Sequence, residues 1–191
     1  NLIQTYEDEP YNSFIHDKWR AMYEGIAQCN DAIIAVYDSL ALDSNARESK
    51  LSELRFLRAF FYFELIKVFG PYLPWIDENN MFRDDLVPNI FPIWSQVENE
   101  FVSSINNLPD VSESPGHPNI WAAKAFYGKL LLYQKKFTEA KAVFDDVIAN
   151  GVTTSGTKYA LQPCFDFNFN ILYNNSSESV YAQQAQVDGI N

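Results

Sequence analysis

Between Pro71 and Arg83, three aromatic residues, Tyr72, Trp75 and Phe82, stand among Asp77, Asn79 and Asn80. That mixture suits a sugar. A pyranose ring presents a C–H face that packs on an aromatic ring, and its hydroxyls need partners that both donate and accept hydrogen bonds, as short amides do. Tyr72, Trp75, Asp77, Asn79 and Asn80 are therefore the candidate ligand contacts, with Trp75 as the stacking surface. The competing reading places Tyr72 and Trp75 over the end of the preceding helix as core, because large aromatics are mostly buried.

The remaining reactive side chains make a weaker case for chemistry. Neighbouring carboxylates occur at Glu7-Asp8-Glu9, Asp84-Asp85 and Asp145-Asp146. None has the apolar surroundings that would raise one pKa for glycosidase-type acid catalysis, so they read as solvated surface. His16 and His117 have no Ser or Cys nearby to activate. Cys29 and Cys164 belong to no Cys-x-x-Cys or Cys/His cluster, which argues against zinc; Cys29 falls on an apolar stripe and reads as a buried thiol. With 7 glycines there is no phosphate-cradling loop. Arg55 and Arg58, one turn apart on an apolar helix with Glu53 and Glu64 close in sequence, read as interior ion pairs tying that helix to a neighbour. No catalytic residue, cofactor or metal site is expected.

Charge narrows the partners. Acidic residues number 25 against 14 basic, a net charge of −11, and no Lys/Arg cluster interrupts the acidic surface. Nucleic acid and anionic lipid are both disfavoured. Hydrophobic residues make up 47 % and aromatics 16 % of the 191 residues, enough for one domain with a sizeable core. The most apolar run, Ala59 to Phe63, is flanked by Arg58 and Glu64 and is far too short to span a bilayer.

Five helices must position these residues. Ile15, Trp19, Met22, Ile26, Cys29, Ile33 and Val36 alternate steps of four and three, predicting a first helix from about Ser13 to Tyr37. A second follows Asp43-Ser44 and stops at Gly70-Pro71; its later half is apolar on nearly every face and should be central. A third begins near Pro92 as a first-turn residue and turns Trp94, Val97, Phe101, Ile105 and Leu108 inward. Residues 119–151 read as a tetratricopeptide-like hairpin, with Gly128 and Ala140 letting its helices approach and Phe137, Phe144 and Val147 filling the space. Thr138 is the expected N-cap of its second helix and Gly151 the expected C′ residue. Leucine at 128 should force the helices apart, whereas alanine should be close to neutral. Residues 71–91 form a long loop, and 152–191 lose helical period and turn rich in Asn, Ser, Gln and aromatics, with a short strand expected over Glu178–Gln183.

Several stretches together resemble one family. They are Trp19-Arg-Ala-Met-Tyr-Glu-Gly-Ile-Ala-Gln-Cys-Asn30, the Glu53-Leu-Arg-Phe-Leu-Arg-Ala-Phe-Phe-Tyr-Phe63 helix ending in Phe69-Gly-Pro, Pro115-Gly-His-Pro-Asn-Ile-Trp-Ala-Ala-Lys-Ala125, Leu132-Tyr-Gln-Lys-Lys-Phe-Thr-Glu-Ala-Lys141, and Glu178-Ser-Val-Tyr-Ala-Gln-Gln184. They resemble the SusD/RagB-like nutrient-binding lipoproteins of Bacteroidetes outer membranes, from about residue 12 to 186. The resemblance departs at His117, where the family often has a basic residue, and at Ile120, where lysine is common. It implies an all-α fold of antiparallel helical hairpins with long irregular loops, and a lipid-anchored location at the outer face of the outer membrane. It also implies a SusC-like TonB-dependent transporter as partner, to which oligosaccharide or peptide is handed. Residues 1–191 are then a single N-terminal helical domain of a longer protein, and binding residues, which follow no motif in the family, do not transfer.

The leading expectation is a non-enzymatic nutrient binder. The alternatives are a tetratricopeptide-type scaffold without a small ligand, and a fragment of a carbohydrate-active enzyme. Exposure of Tyr72, Trp75 and Trp94 separates the first two, and a carboxylate pair in a cleft would favour the third. Lys135, Lys136 and Lys141 on the hairpin are the expected partner-docking residues.

Overall fold

The computed structural model describes residues 12–83, 85–112 and 114–184; the carboxylates Glu7, Asp8, Glu9 and Asp84 lie outside them. Among the described residues five α-helices run in order: α1 (Ser13–Asp38), α2 (Ser44–Phe69), α3 (Trp94–Asn107), α4 (Ile120–Tyr133) and α5 (Phe137–Asn150). Two short 3-10 turns follow, Phe165–Phe169 and Ile171–Tyr173. None of these helices is long and apolar enough to cross a membrane. Each helix packs on the next, and α2 also touches α4, so α2 is covered from several sides. From Leu51 to Lys67 not one of its residues is exposed. The all-α architecture of antiparallel hairpins expected from the helical periodicity is the one observed.

Local chemistry sets the helix ends. The side chains of Asn12, Asp43 and Asn119 accept the N–H groups of Phe14, Ala46 and Ala122 at 3.0, 2.8 and 2.9 Å, capping α1, α2 and α4. Gly70 stops α2 with φ of 78°, a left-handed backbone that glycine adopts freely, and its N–H still reaches the Ile66 carbonyl at 3.0 Å. Around Phe56 the core is aromatic: Phe101, Phe126 and Tyr181 approach edge-to-face with centroids 6.0, 5.6 and 5.2 Å away.

Close helix approach explains two glycines. A Cβ at Gly25 would lie 2.7 Å from the Phe61 ring, and one at Gly128 would lie 2.9 Å from the Phe144 ring. Phe144 therefore fills the α4–α5 seam as expected, and alanine at 128 must shift the end of that ring slightly, a cost set against the gain in helix propensity. Phe137 does not fill the seam: it is 63 % exposed, at the turn end of the hairpin.

Four other expectations are corrected. Pro92 precedes the cap residue Ile93 and is not in the first turn of α3. Thr138 does not cap α5: after the tight turn through Lys135 (φ 62°) the helix begins at Phe137, with Lys136 in the cap position. Gly151 has φ of −64° and is not left-handed; a Cβ there would collide first with the Val147 carbonyl oxygen and would lie 2.6 Å from the Tyr159 ring. Over Glu178–Gln183 no strand forms. The facing segment is held there by Ala160 N–H to the Ser177 carbonyl at 3.1 Å and Gln162 N–H to the Glu178 carboxylate at 2.8 Å. A single main-chain bond with side-chain bonds around it does not make a ladder.

Candidate functional site

The connection from α2 to α3 is pinned along its first half by buried polar groups. Its ends meet where Ile93 N–H donates to the Pro71 carbonyl at 2.9 Å, and Leu73 drops into the core. The fully buried Tyr62 hydroxyl accepts the Ile76 N–H at 2.7 Å and lies 3.0 Å from the Ile76 carbonyl. Tyr23 donates to the Pro74 carbonyl at 2.9 Å, and the Asn30 amide to the Ile76 carbonyl at 3.2 Å. A segment without secondary structure of its own thus has its backbone satisfied by side chains of α1 and α2.

Beneath it sits Arg58, 2 % exposed. Its guanidinium donates twice to Glu100 on α3, at 3.1 and 2.8 Å, once to Glu78 on the loop at 2.5 Å, and once to the Asn30 amide oxygen on α1 at 2.7 Å. Burial opposes the positive charge, but the hydrogen bonds and charges of Glu100 and Glu78 outweigh it and hold the pKa above the usual arginine value. One side chain therefore ties α1, α2, α3 and the loop together. The reading of Arg58 as an interior ion pair holds, with partners distant in sequence. Glu64 instead pairs with Lys18 and Lys67, and Glu53 with Lys50 and His117. Arg55 forms no ion pair within 4.0 Å among the described residues and uses hydroxyls, Ser103 at 3.2 Å and Tyr37 at 3.0 Å.

On this anchor stand the five predicted contacts. Trp75 stacks on Tyr62 with centroids 4.4 Å apart and 25° between planes, and the Arg58 guanidinium lies 5.7 Å from its ring. Its indole N–H donates to Asp77 at 3.1 Å. Asp77 also accepts the Asn79 N–H at 2.9 Å, while Asn80 accepts the Asp77 N–H at 3.0 Å and donates to the Trp75 carbonyl at 3.0 Å. The turn thus consumes much of the hydrogen-bonding capacity of Asp77 and Asn80. Tyr72 is 57 % exposed and Asn79 is exposed, whereas Trp75 is half-buried. Trp94 is also half-buried against the core, not on an open face with Tyr72.

Elsewhere the picture is mixed. On the hairpin, Lys135 is exposed, Lys136 is paired with Glu98 on α3 at 2.6 Å, and Lys141 with Asp145 at 2.5 Å. His16 is exposed beside Asp17, and His117 contacts Glu53 across from α2, a pairing hidden by their separation in sequence. Cys29 is a buried free thiol, pushed to about 11 by burial with Arg58 opposing, and Cys164 is free and exposed. Asn30, Glu78 and Glu100 were not singled out from sequence. The available signal was positional: Asn30 follows Cys29 on the buried stripe, and Glu100 directly precedes inward-facing Phe101.

Comparison with known proteins gives this geometry its context. Residues 1–132 match the family model SusD-like, described as starch-binding associating with outer membrane. The chain belongs to the SusD-like family. A SusD-like protein of Bacteroides ovatus is 22 % identical over 94 % of this chain and 34 % of its own length. A laminarin binding SusD-like protein of known structure shares 28 % identity with a TM-score of 0.75, over 86 % of this chain and 36 % of that one. A crystal structure with xylogluco-oligosaccharide superposes with a TM-score of 0.82 at 22 % identity, over 96 % and 38 % of the two chains, a likeness of fold. The chain thus spans little more than a third of the length of each of these three proteins.

Proposed function

We propose that this protein is a non-catalytic binder of oligosaccharide at the surface of the outer membrane, acting as one helical domain of a longer lipid-anchored protein that passes its ligand to a SusC-like TonB-dependent transporter. The observation that carries this reading is the α2–α3 loop, an aromatic and amide surface fixed by the buried Arg58 cluster. A binding surface gains when its shape is set before the ligand arrives. Membership in a family described as starch-binding and a relative named for binding laminarin agree in ligand class.

Within the loop, the exposed Tyr72 ring and the Asn79 amide make the direct contacts, Trp75 offers the part of its ring that Tyr62 leaves uncovered, and Asp77 and Asn80 hold the turn. The transporter is met by the hairpin face bearing Lys135, Lys136 and Lys141, of which Lys135 and Lys141 are the more accessible. Affinity electrophoresis in laminarin, xyloglucan and starch gels tests the ligand reading. Tyr72→Ala should lose retention at an unchanged melting temperature; retention equal to wild type would place the contact elsewhere. Charge reversal at Lys135 and Lys141 should weaken co-purification with the transporter and leave retention intact; the opposite pattern would refute the docking role.

A further inference from the structure

The segment from Tyr159 to Gln184 carries a second arrangement of ring and amides, which the proposal above does not use. It is stitched to itself near its base. Ala160 N–H reaches the Ser177 carbonyl at 3.1 Å, the Ser177 hydroxyl donates back to the Ala160 carbonyl at 2.9 Å, and Gln162 N–H reaches Glu178 at 2.8 Å. Val180 and Tyr181 pack on the core and fix its far end. Above this base the two 3-10 turns bring Phe167 and Tyr173 face to face, centroids 4.0 Å apart and planes within 10°. Phe167 therefore backs one face of Tyr173, which remains 39 % exposed and lines a cavity of about 360 Å³.

The other walls include Asn168, Asn174, Asn175, Ser176, Ser179 and Glu178. Asn175 and Gln184 exchange amide hydrogen bonds, each at 3.1 Å, which orients the Asn175 amide and leaves it one donor and one lone pair. The Glu178 carboxyl is held below its ordinary value by the Gln162 N–H and the Asn168 side chain, so it is already engaged as an acceptor. Among the described residues none that lines the cavity carries a positive charge, which disfavours an anionic ligand. A ring backed on one face, three asparagine amides and two serine hydroxyls around a volume at the lower end of ligand pockets, roughly 300–1,000 Å³, match one or two neutral sugar rings.

We propose that this cavity is a second carbohydrate-binding site, taking a neutral sugar unit of an oligosaccharide on the open face of Tyr173 with hydroxyls paired to Asn168, Asn174 and Asn175. The site shares only its ligand class with the reading of the α2–α3 loop. The test titrates ¹⁵N-labelled protein with laminarihexaose, a xyloglucan oligosaccharide, maltohexaose and, as an acidic control, an oligogalacturonate. At least one neutral probe should shift the side-chain amides of Asn168, Asn174 and Asn175, and the acidic control should not. Tyr173→Ala should weaken that neutral probe by about five- to tenfold, whereas Tyr173→Phe, which keeps the ring, should stay within about twofold and so separates ring loss from misfolding. Shifts confined to Asn79 and Asn80, with Tyr173→Ala binding as wild type, would overturn this site and leave the α2–α3 reading standing. Shifts confined to Asn168, Asn174 and Asn175 would support this site and remove the other. Absence of binding by every neutral probe would overturn both.

Discussion

The α2–α3 loop and the segment from Tyr159 to Gln184 have similar compositions and opposite constructions. Both mix aromatics with Asn and Asp, yet the first turns its polar atoms inward and the second turns many of them outward. In the first, Tyr62, Asn30 and Arg58 satisfy the loop from below, and Trp75, Asp77 and Asn80 satisfy one another. In the second, bonds around residues 160–162 and 177–178 close the base, local turn bonds and the Asn175–Gln184 amide pair shape what lies above, and many of its rings stay exposed. Composition alone cannot tell a self-satisfied turn from an open surface. What decides is whether a neighbouring element supplies buried partners.

The sharpest way to break this contrast is Arg58→Met. Removing the guanidinium leaves Glu78 and Glu100 facing each other without compensation, and the loss should be about 3–5 kcal/mol by urea denaturation. A loss below about 1 kcal/mol would mean that the cluster does not anchor the loop. Next is Trp75→Ala, which removes a half-buried ring stacked on Tyr62. A loss of about 2 kcal/mol is expected, less than for a fully buried tryptophan, against less than about 0.5 kcal/mol for the exposed Tyr72→Ala. Equal melting temperatures for the two variants would contradict the difference drawn here.

Tyr62→Phe should cost about 1–3 kcal/mol, because the Ile76 N–H loses its acceptor in a buried site. An unchanged unfolding midpoint would show that water replaces the hydroxyl there. The smallest effect is a pH effect in the second segment. Glu178 has its folded pKa lowered by the Gln162 N–H and by Asn168. Its contribution is thus present above the unfolded glutamate value, about 4.3, and is lost as pH falls through the lower folded value. The Gln162 amide resonance should titrate with a midpoint below that of an ordinary glutamate, and a midpoint at or above it would remove this bond from the account.

Much of the helical frame was legible because periodicity reports burial directly. The stripe from Ile15 to Val36 faces inward along its whole length, and the all-round apolar half of α2 is the centre of the fold. Terminal details were less legible, since Thr138 and Pro92 obey rules that a two-residue shift of the helix start defeats. The candidate site was legible only in outline. Five loop residues could be named, but their division into inward and outward depends on Asn30, Arg58 and Glu100, which lie far away in sequence. The second cavity was illegible because no periodicity predicts that Phe167 and Tyr173 meet.

Calorimetric titration of the protein with laminarihexaose, a xyloglucan oligosaccharide and maltohexaose, followed by assay of each mixture for new reducing ends, tests the central claim most directly. A saturable heat of binding for at least one sugar, with no new reducing ends after prolonged incubation, is the predicted result. New reducing ends would make the protein an enzyme, and the absence of binding to all three would remove carbohydrate from its function.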